Sequence, residues 1–240
     1  MQLQGNTILI TGGASGIGLA LAARFTGLGN KVIICGRRED ALKAATEKVP
    51  GLITYVSDLA NADERIALRD RIAGEHPDLN VLVNNAGIQQ WMTVDDSDFY
   101  DRFRAELAIN VDAPVHLTRL FLDLPKLDTV MNVSSGLAFS PLTKTPTYGA
   151  TKAFIRSFTL ALRHLVKDRG IAVIEIIPPA LNTDLGGKGL HDHAPPVSDF
   201  LDAIFPQLEE GRDELTFGFS EQMRNAGPEQ LQAAFARMNP

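Results

Sequence analysis

The stretch Thr7–Gly18, which reads Thr-Ile-Leu-Ile-Thr-Gly-Gly-Ala-Ser-Gly-Ile-Gly, decides the fold of this 240-residue chain. Its first five residues form an aliphatic run of the kind found in strands that are covered on both faces. Four glycines follow, and Ile17–Leu28 then has the pattern of a helix that ends at Gly29 and Asn30. A strand, a glycine-rich turn and a helix in that order predict the first unit of a parallel α/β sheet.

The same alternation of aliphatic runs and helical stretches continues along the chain. Strands separated by helices pair in parallel through right-handed crossovers, so we expect an α/β fold: one Rossmann-like, doubly wound sheet of about seven strands with helices on both faces. No linker divides residues 1–240, and we predict a single domain. The further predicted strands are Lys31–Cys35, Leu52–Ser57, Asn80–Val83, Thr129–Val133, Ile171–Ile177 and Leu215–Phe219. The further predicted helices are Glu39–Lys48, a helix from the N-cap Asn61 to Glu75, Asp98–Leu124 with a bend near Pro114, and Thr147–Asp168.

The composition is that of an ordinary globular protein, with 45% hydrophobic and 22% charged residues. No apolar run reaches the roughly 18 residues of a membrane span, and the first residues lack the layout of a secretory signal. The single cysteine, Cys35, allows no internal disulfide. We therefore expect a cytoplasmic protein without membrane contact, and the net charge of −6 argues against nucleic-acid binding.

The glycine-rich turn predicts a phosphate-binding site. Glycine lets the backbone approach a ligand closely, and the free N–H groups at the start of the next helix suit a pyrophosphate. The spacing is G-x-x-x-G-x-G, which differs from the common G-x-G-x-x-G fingerprint. The Lys and Ser/Thr of a P-loop are missing, which excludes an NTPase. A turn selected only for tight packing is the alternative interpretation.

The end of the second strand, Gly36-Arg37-Arg38, indicates which cofactor is used. In a dinucleotide site an acidic residue here favours the ribose 2′-hydroxyl, whereas an arginine accommodates a 2′-phosphate. We therefore favour NADP over NAD. The alternative is that both arginines are solvated or cap the following helix.

Tyr148 and Lys152 are the first candidates for proton transfer. Four residues apart, they share one face of a predicted helix. Tyrosine is a weak acid with a pKa near 10, and a neighbouring ammonium favours its ionised form, so the pair suits proton exchange with a carbonyl or alcohol oxygen. Ser135 lies at the end of the fifth predicted strand, where such a sheet presents active-site residues. A surface pair without a catalytic role is the alternative for Tyr148 and Lys152.

Six motifs occur in order along the chain: Thr11-Gly12-x-x-x-Gly16-x-Gly18, Asn84-Asn85-Ala86-Gly87, Asn110, Asn132-Val133-Ser134-Ser135, Tyr148-x-x-x-Lys152 and Pro178-x-x-Leu181-x-Thr183. Together they resemble the short-chain dehydrogenases/reductases, from about residue 3 to 183 and at that family's spacings. The chain length favours the core-length subgroup of that family over the extended subgroup, which carries a further substrate domain. Within it, Gly36-Arg37-Arg38 and the proline-rich end of the sixth strand look similar to the DltE-like oxidoreductases.

The resemblance implies an NAD(P)-dependent oxidoreductase of carbonyl and alcohol groups, and it implies no metal ion. Tyr148 would be the general acid/base, Lys152 would lower its pKa and hold the nicotinamide ribose, and Ser135 would bind the substrate oxygen. Asn110 would hold a water in line with Lys152 as a proton relay. The cofactor-binding residues implied are Thr11, Gly12, Ser15, Gly16, Ile17, Gly18, Arg37, Arg38, Asp58, Leu59, Asn85, Ala86, Gly87, Tyr148, Lys152, Pro178 and Thr183.

Two positions depart from the family's pattern. Pro178-Pro179 replaces the family's Pro-Gly after the sixth strand and removes a backbone N–H beside the nicotinamide. Ser15 stands where some NADP-preferring members have a basic residue. The NADP preference therefore depends on Arg37 and Arg38, and use of NAD as well stays open.

The resemblance also implies how substrate and subunits are held. It places a substrate-covering loop and helix at about residues 184–212, and it implies a homodimer or homotetramer formed through the two long helices. The expected substrate is a small or medium organic carbonyl or alcohol. The rival hypothesis is a dinucleotide-binding regulatory or scaffold protein without turnover.

Five further side chains stand out. His191 and His193 are either polar loop residues or substrate contacts, because a metal pair there lacks a third ligand. Trp91 either lines the pocket or makes a loop or subunit contact. Glu175 is expected to be a paired structural carboxylate, and Cys35 a small buried hydrophobe.

Overall fold

The computed structural model describes residues 1–240. Its strands are β1 (Thr7–Thr11), β2 (Lys31–Gly36), β3 (Ile53–Val56), β4 (Val81–Asn84), β5 (Thr129–Val133), β6 (Ala172–Ile177) and β7 (Glu214–Thr216). They form one sheet in the order β3-β2-β1-β4-β5-β6-β7, and every neighbouring pair is parallel. The predicted doubly wound sheet is therefore confirmed. The winding reverses between β1 and β4, and ligands of such sheets bind beyond the carboxyl ends of the strands at that point.

Helices cover both faces of the sheet, as predicted. On one face Ile8 packs in a cluster with Phe25 and Phe200. The next residue of β1, Leu9, points to the other face and packs in a cluster with Phe121. The helices are α1 (Gly16–Gly27), α2 (Glu39–Lys48), α3 (Ala62–Glu75), α4 (Phe99–Leu107), α5 (Ala113–Phe121), α6 (Pro146–Leu165), α7 (Val197–Glu209), α8 (Phe219–Asn225) and α9 (Pro228–Met238). None of them combines the length and apolar character needed to cross a bilayer.

The long helix predicted over Asp98–Leu124 is divided into three segments. A π-helical turn, Ala108–Asp112, separates α4 from α5. Pro114 lies in the first turn of α5 and has no N–H to donate to the carbonyl of Asn110, four residues earlier. The break therefore lies where a bend was predicted, and it sets Asn110 in a widened turn of a type common at functional sites.

The C-terminal part differs most from the prediction. The last strand was predicted at Leu215–Phe219, but β7 ends at Thr216 and α8 begins at Phe219. Gly218 turns the chain between them with a φ of +56°, a value that favours glycine. The Ser220 hydroxyl fixes this turn because it accepts from the N–H of Phe217 and donates to the carbonyl of Ile177. Helices α8 and α9 were not predicted.

Glu175, in the middle of β6, is a paired structural carboxylate, as predicted. Its side chain is fully buried, accepts a hydrogen bond from the Ser134 hydroxyl at 2.5 Å and lies 2.6 Å from a guanidinium nitrogen of Arg156. Burial raises the pKa of Glu175, and the Ser134 hydrogen bond and the Arg156 charge oppose that rise. Arg156 also pairs with Glu214 at 3.1 Å.

We expect Arg156→Ala to lower the free energy of unfolding by about 3 kcal/mol, because it leaves the buried Glu175 carboxylate without its cation. Urea denaturation at neutral pH measures the change. Arg119→Ala is the matched control, since the Arg119–Asp123 pair is mostly exposed (67% and 60%) and contributes at most about 1 kcal/mol. Equal losses in the two variants would contradict the importance of the buried pair.

Candidate active site

A cavity of about 1430 Å³ opens at the carboxyl ends of the strands. It runs from the end of β2, past the glycine-rich turn after β1, to the residues that follow β4, β5 and β6. The structure brings the following predicted site residues to its wall: Gly12, Ser15, Gly16, Ile17, Gly18, Arg37, Arg38, Asp58, Leu59, Asn85, Ala86, Gly87, Ser135, Tyr148, Lys152, Pro178 and Thr183. Two predicted site residues, Thr11 and Asn110, lie behind that wall.

Thr11 shapes the wall from behind. Its hydroxyl accepts the backbone N–H groups of Asn85 and Ala86, both at 3.0 Å, and donates to the carbonyl of Val83 at 3.3 Å. The Asn85 side-chain amide donates back to the Thr11 carbonyl at 2.9 Å. These bonds hold the chain after β4 against the end of β1, beyond the last ladder hydrogen bond of the two strands.

The turn after β1 has the shape of a phosphate cradle. Gly12 has a φ of +64°, and a Cβ atom on Gly18 would lie 2.4 Å from the Gly12 carbonyl oxygen. Ser15 is the N-cap residue of α1, yet its side chain makes no hydrogen bond to the first turn. The first N–H groups of α1 therefore have no side-chain cap beside the cavity, and such a helix start binds anions. The turn fits the pyrophosphate of a dinucleotide.

Arg37 and Arg38 lie at the end of the cavity next to β2, and both are exposed. Neither forms an ion pair with an acidic side chain. Arg38 is the N-cap residue of α2, but its side chain makes no hydrogen bond to that helix. Both guanidinium groups are therefore available to an anion in the cavity.

Tyr148, Ser135 and Lys152 meet at the wall of the cavity. Ser135 follows β5, whereas Tyr148 and Lys152 lie near the start of α6 and face the sheet. The Ser135 hydroxyl accepts the N–H of Leu137 at 3.1 Å and lines the cavity together with the Tyr148 phenol. The Lys152 ammonium donates to the carbonyl of Val133 at 2.8 Å and lies 5.6 Å from the centroid of the Tyr148 ring.

Burial controls the proton affinities of Tyr148 and Lys152. It raises the pKa of Tyr148 well above the ordinary value, and the hydrogen bond from Ser135 opposes that rise. It lowers the pKa of Lys152 to about 8, and the carboxylate of Glu106 opposes that fall. Burial, and not the predicted effect of Lys152, thus dominates the pKa of Tyr148. At neutral pH Tyr148 is a neutral phenol, the form that can donate a proton to a carbonyl oxygen.

Asn110 holds the loop that follows β4. Its Oδ1 atom accepts the N–H of Ile88 at 2.9 Å, and its Nδ2 atom donates to the carbonyl of Ile88 at 2.8 Å. The same nitrogen lies 3.1 Å from the Thr151 hydroxyl on α6. The amide therefore fixes this loop beside Lys152, and its role in holding a water stays a prediction.

We call the apolar part of the cavity near Tyr148 the substrate end. Phe219 and Met238 in its wall were missed because α8 and α9 were not predicted. A signal was present: after Pro228, apolar residues recur at helical spacing as far as Met238. The residues that line the substrate end are Gln89, Trp91, Leu137, Leu142, Asp184, Leu185, His191, His193, Phe217, Phe219 and Met238.

Trp91, His191 and His193 lie in the cavity wall, whereas Cys35 lies in the core. Trp91, 42% exposed, lines the cavity, and His191 and His193 line it from the loop after β6. No group of three or more His, Cys, Asp or Glu side chains is arranged to hold a metal ion. Cys35 is fully buried, and burial raises the pKa of its thiol to about 12. It is a small buried hydrophobe, as predicted.

Known proteins of one family match this chain in sequence. Residues 6–193 match the short chain dehydrogenase family. The uncharacterized oxidoreductase DltE of Bacillus subtilis (strain 168) is 40% identical over 251 residues, which cover 100% of this chain and 98% of DltE. Serine 3-dehydrogenase of Agrobacterium fabrum (strain C58 / ATCC 33970) is 32% identical over 74% of this chain and 73% of its own length.

The fold also has a close counterpart among solved structures. A short chain dehydrogenase from Burkholderia cenocepacia J2315, solved in complex with NADP, matches with a TM-score of 0.86 at 23% identity, and 99% of each chain is covered. That likeness supports the fold, while the family match and the identity to DltE concern the sequence itself. The chain belongs to the short chain dehydrogenase family, as its six motifs predicted.

Proposed function

We propose that Tyr148 is the general acid/base of an NAD(P)-dependent oxidoreductase that interconverts a carbonyl and an alcohol. Membership of the family makes the chain an oxidoreductase of CH–OH and C=O groups. The observation that carries the assignment of Tyr148 is its buried phenol, which lines a large cavity together with Ser135 and Lys152. Such a phenol keeps its proton until an oxygen close to it becomes basic.

In the reducing direction the chain's own residues handle the proton. Ser135 donates a hydrogen bond to the substrate carbonyl oxygen and holds it next to Tyr148. Tyr148 donates its proton to that oxygen as negative charge develops there. The Lys152 ammonium stabilises the phenolate that remains, and Asn110 keeps the adjoining loop in place. The nicotinamide ring, when bound, supplies the hydride or accepts it in the reverse reaction.

The wall of the cavity indicates which residues would hold the dinucleotide. The start of α1 would bind the pyrophosphate. Asp58 and Leu59 would contact the adenine, and Lys152 would hold the nicotinamide ribose. Thr183 would bind the carboxamide. Thr11 would act from behind the wall, since its hydroxyl fixes the Asn85-Ala86-Gly87 segment that would lie under the cofactor.

We propose NADP as the preferred cofactor, with NAD as the second choice. The unpaired Arg37 and Arg38 support this choice because both line the cavity where the adenosine ribose of a dinucleotide would lie. The Burkholderia relative was solved with NADP. No acidic side chain precedes the arginines at the end of β2 to bind a free 2′-hydroxyl.

We expect Arg37→Ala to raise the KM for NADPH by about 10–100-fold, because a charge-assisted phosphate contact is lost. The KM for NADH should change less than about 3-fold, since NADH has no 2′-phosphate. Steady-state kinetics with both cofactors measure the two values. Arg104→Ala, an exposed arginine outside the cavity wall, is the control. Equal losses for the two cofactors would contradict the role of Arg37.

The proposed function as a whole is tested by a cofactor-coupled screen. Purified protein is incubated with NADPH and a panel of aldehydes and ketones, or with NADP and a panel of alcohols, and the nicotinamide absorbance is followed. We expect turnover of at least one neutral carbonyl. Tight NADPH binding without turnover in either direction would favour the rival dinucleotide-binding regulatory or scaffold protein.

We also propose that residues 1–240 act as one cytoplasmic catalytic domain and that the segment at about 184–212 covers the substrate. Support for the cover comes from Gly186, which lies close to the side chains of Gln89 and Trp91 across the cavity. A homodimer or homotetramer is supported by exposed aromatic rings on the long helices, such as Phe154 at 47%. Light scattering of the purified protein tests the assembly.

A further inference from the structure

The substrate end is apolar on most of its wall. Four separate segments contribute Trp91, Leu142, Leu185 and Phe219. Two of these segments lie against each other, since a Cβ atom on Gly186 would lie 3.3 Å from the Trp91 indole nitrogen. An apolar wall of this kind gains free energy by excluding water from an apolar ligand.

The positive charges of the cavity lie elsewhere. The lysine and arginine side chains in its wall are Arg37, Arg38 and Lys152, and the only other basic side chains there are the imidazoles of His191 and His193. The two arginines follow β2, three strands away from β5, which is roughly 14 Å across the sheet. Lys152 already donates a hydrogen bond to the backbone carbonyl of Val133. The only carboxylate at the substrate end is that of Asp184, which would repel a second anion.

The C-terminal helix borders the substrate end. Met238, the last residue of α9, is part of the wall. The next residue, Asn239, fixes the helix to the loop before Tyr148, since its Oδ1 atom accepts the N–H of Thr143 at 2.7 Å and its Nδ2 atom donates to the carbonyl of Pro141 at 3.0 Å. The position of Met238 therefore limits the length of the substrate.

From the charges and the mostly apolar wall we infer that the substrate is a neutral, hydrophobic ketone or secondary alcohol, and not a hydroxy acid. This inference rests on the proposed function. A substrate carboxylate at the substrate end would be desolvated against a mostly apolar wall beside the Asp184 carboxylate, with no lysine or arginine to pair with, which is costly. The name of the Agrobacterium relative, serine 3-dehydrogenase, describes a substrate with a carboxylate, so we expect the two proteins to differ in this respect.

A matched pair of substrates tests the charge. Ethyl acetoacetate and acetoacetate share the reacting ketone and differ in the negative charge. We expect kcat/KM with NADPH to be at least about 100-fold higher for the ester, because the substrate end offers the free acid no lysine or arginine and places Asp184 beside it. If acetoacetate is reduced as fast as the ester, the substrate class is overturned and the proposed function stands. If NADPH binds and no carbonyl compound is reduced, the proposed function itself fails.

The length limit is tested separately with Met238→Ala. We expect this variant to raise kcat/KM several-fold for a longer ketone such as 4-phenyl-2-butanone relative to ethyl acetoacetate. Phe235→Ala on the same helix is the control, because Phe235 is 40% exposed and lies outside the cavity wall. An unchanged ratio of the two substrates in Met238→Ala, with the thermal midpoint retained, would overturn the role of α9 in the site.

A different observation concerns Glu106, a fully buried carboxylate on α4 that the predicted site does not include. Its Oε1 atom accepts the N–H of Gln90 at 2.7 Å, and its Oε2 atom accepts the hydroxyl of Thr147. Gln90 belongs to the loop that lines the substrate end, and Thr147 immediately precedes Tyr148. The titratable groups that feel its charge from α6 are Lys152 and Tyr148. On its own helix, Arg102 is paired with Asp96 and Asp98.

We propose that Glu106 is a positioning residue, which ties the loop of Gln90 to the start of α6, the helix that carries Tyr148 and Lys152. A carboxylate suits this role because its two oxygens accept two hydrogen bonds, and its charge attracts the Lys152 ammonium. Burial lowers the pKa of Lys152 to about 8, and the charge of Glu106 opposes that fall. Burial also raises the pKa of Glu106, and the hydrogen bonds from Thr147 and Gln90 and the charge of Lys152 oppose that rise.

Glu106→Gln separates the two roles, since its amide can accept from Gln90 and donate to the Thr147 oxygen while carrying no charge. We expect the alkaline limb of the pH profile of kcat/KM to move to lower pH by at least about half a unit. The KM for NADPH should stay within about 2-fold. An unmoved limb in a folded variant would overturn the role of the charge.

Thr147→Val and Thr147→Ser test the tie independently of the buried charge. Valine has the shape of threonine without the hydroxyl, whereas serine keeps the hydroxyl. We expect kcat/KM to fall by about 10-fold in Thr147→Val and to be largely retained in Thr147→Ser. Equal activity of the two variants would overturn the positioning role of the Glu106–Thr147 bond.

Discussion

Phenylalanine in place of Tyr148 should lower kcat by about 10²–10⁴-fold, the usual contribution of a general acid. The substitution removes one hydroxyl and keeps the ring of a residue that is only 6% exposed. Ser135, in the same wall, keeps its hydrogen bond from the Leu137 N–H at 3.1 Å. We therefore expect the fold and the affinity for NADPH to be retained while proton transfer is lost.

The result is read from two measurements on the same protein. Steady-state kinetics with a confirmed substrate give kcat, and a fluorescence titration gives the affinity for NADPH. Tyr100→Phe is the matched control, because Tyr100 is 63% exposed on α4 and lies outside the cavity wall. Wild-type kcat in Tyr148→Phe would exclude Tyr148 as the acid and would direct attention to another proton donor.

The parts of this protein that depend on local sequence were predictable. An aliphatic run forms a buried strand wherever it lies in such a sheet, and Thr129–Val133 and Glu39–Lys48 have the bounds predicted for them. The N-cap at Asn61 was also predictable, since its side chain accepts the N–H of Asp63 at 2.9 Å, two residues away. The candidate site followed from motif spacing because every motif except Asn110 ends a strand or lies near the start of a helix at one edge of the sheet.

The parts that depend on contacts between distant residues were not predictable. Glu106 is an unremarked acidic residue in the sequence, and its burial follows from partners on two other segments, Gln90 and Thr147. The wall at Met238 requires Asn239 to reach the loop at Thr143, 96 residues away. The pKa of Tyr148 likewise depends on burial, which only the packed structure reveals. A sequence pattern carries no record of such distances.

Alanine at Gly18 should disrupt both stability and cofactor binding. A Cβ atom there would lie 2.4 Å from the Gly12 carbonyl oxygen and 2.4 Å from the Asn85 side-chain nitrogen, closer than any unstrained contact. The backbone of the glycine-rich turn must therefore move. We expect a loss of about 2–3 kcal/mol in the free energy of unfolding, the usual cost of overpacking. We expect at least about 10-fold weaker NADPH binding as well, because the displaced turn is the proposed cradle.

Gly27→Ala separates this steric effect from the general effect of adding a methyl group to α1. Gly27 ends the same helix, is exposed and has no atom within 4 Å of a built Cβ atom. Alanine there should leave NADPH binding unchanged and stabilise the protein by up to about 1 kcal/mol, since alanine costs less backbone entropy than glycine in a helix. Urea denaturation and a fluorescence titration with NADPH compare the two variants. If Gly18→Ala bound NADPH as tightly as Gly27→Ala, the pyrophosphate could not depend on the close approach of α1 to the turn at Gly12, and the cofactor would have to be held mainly by the residues after β2, β4 and β6.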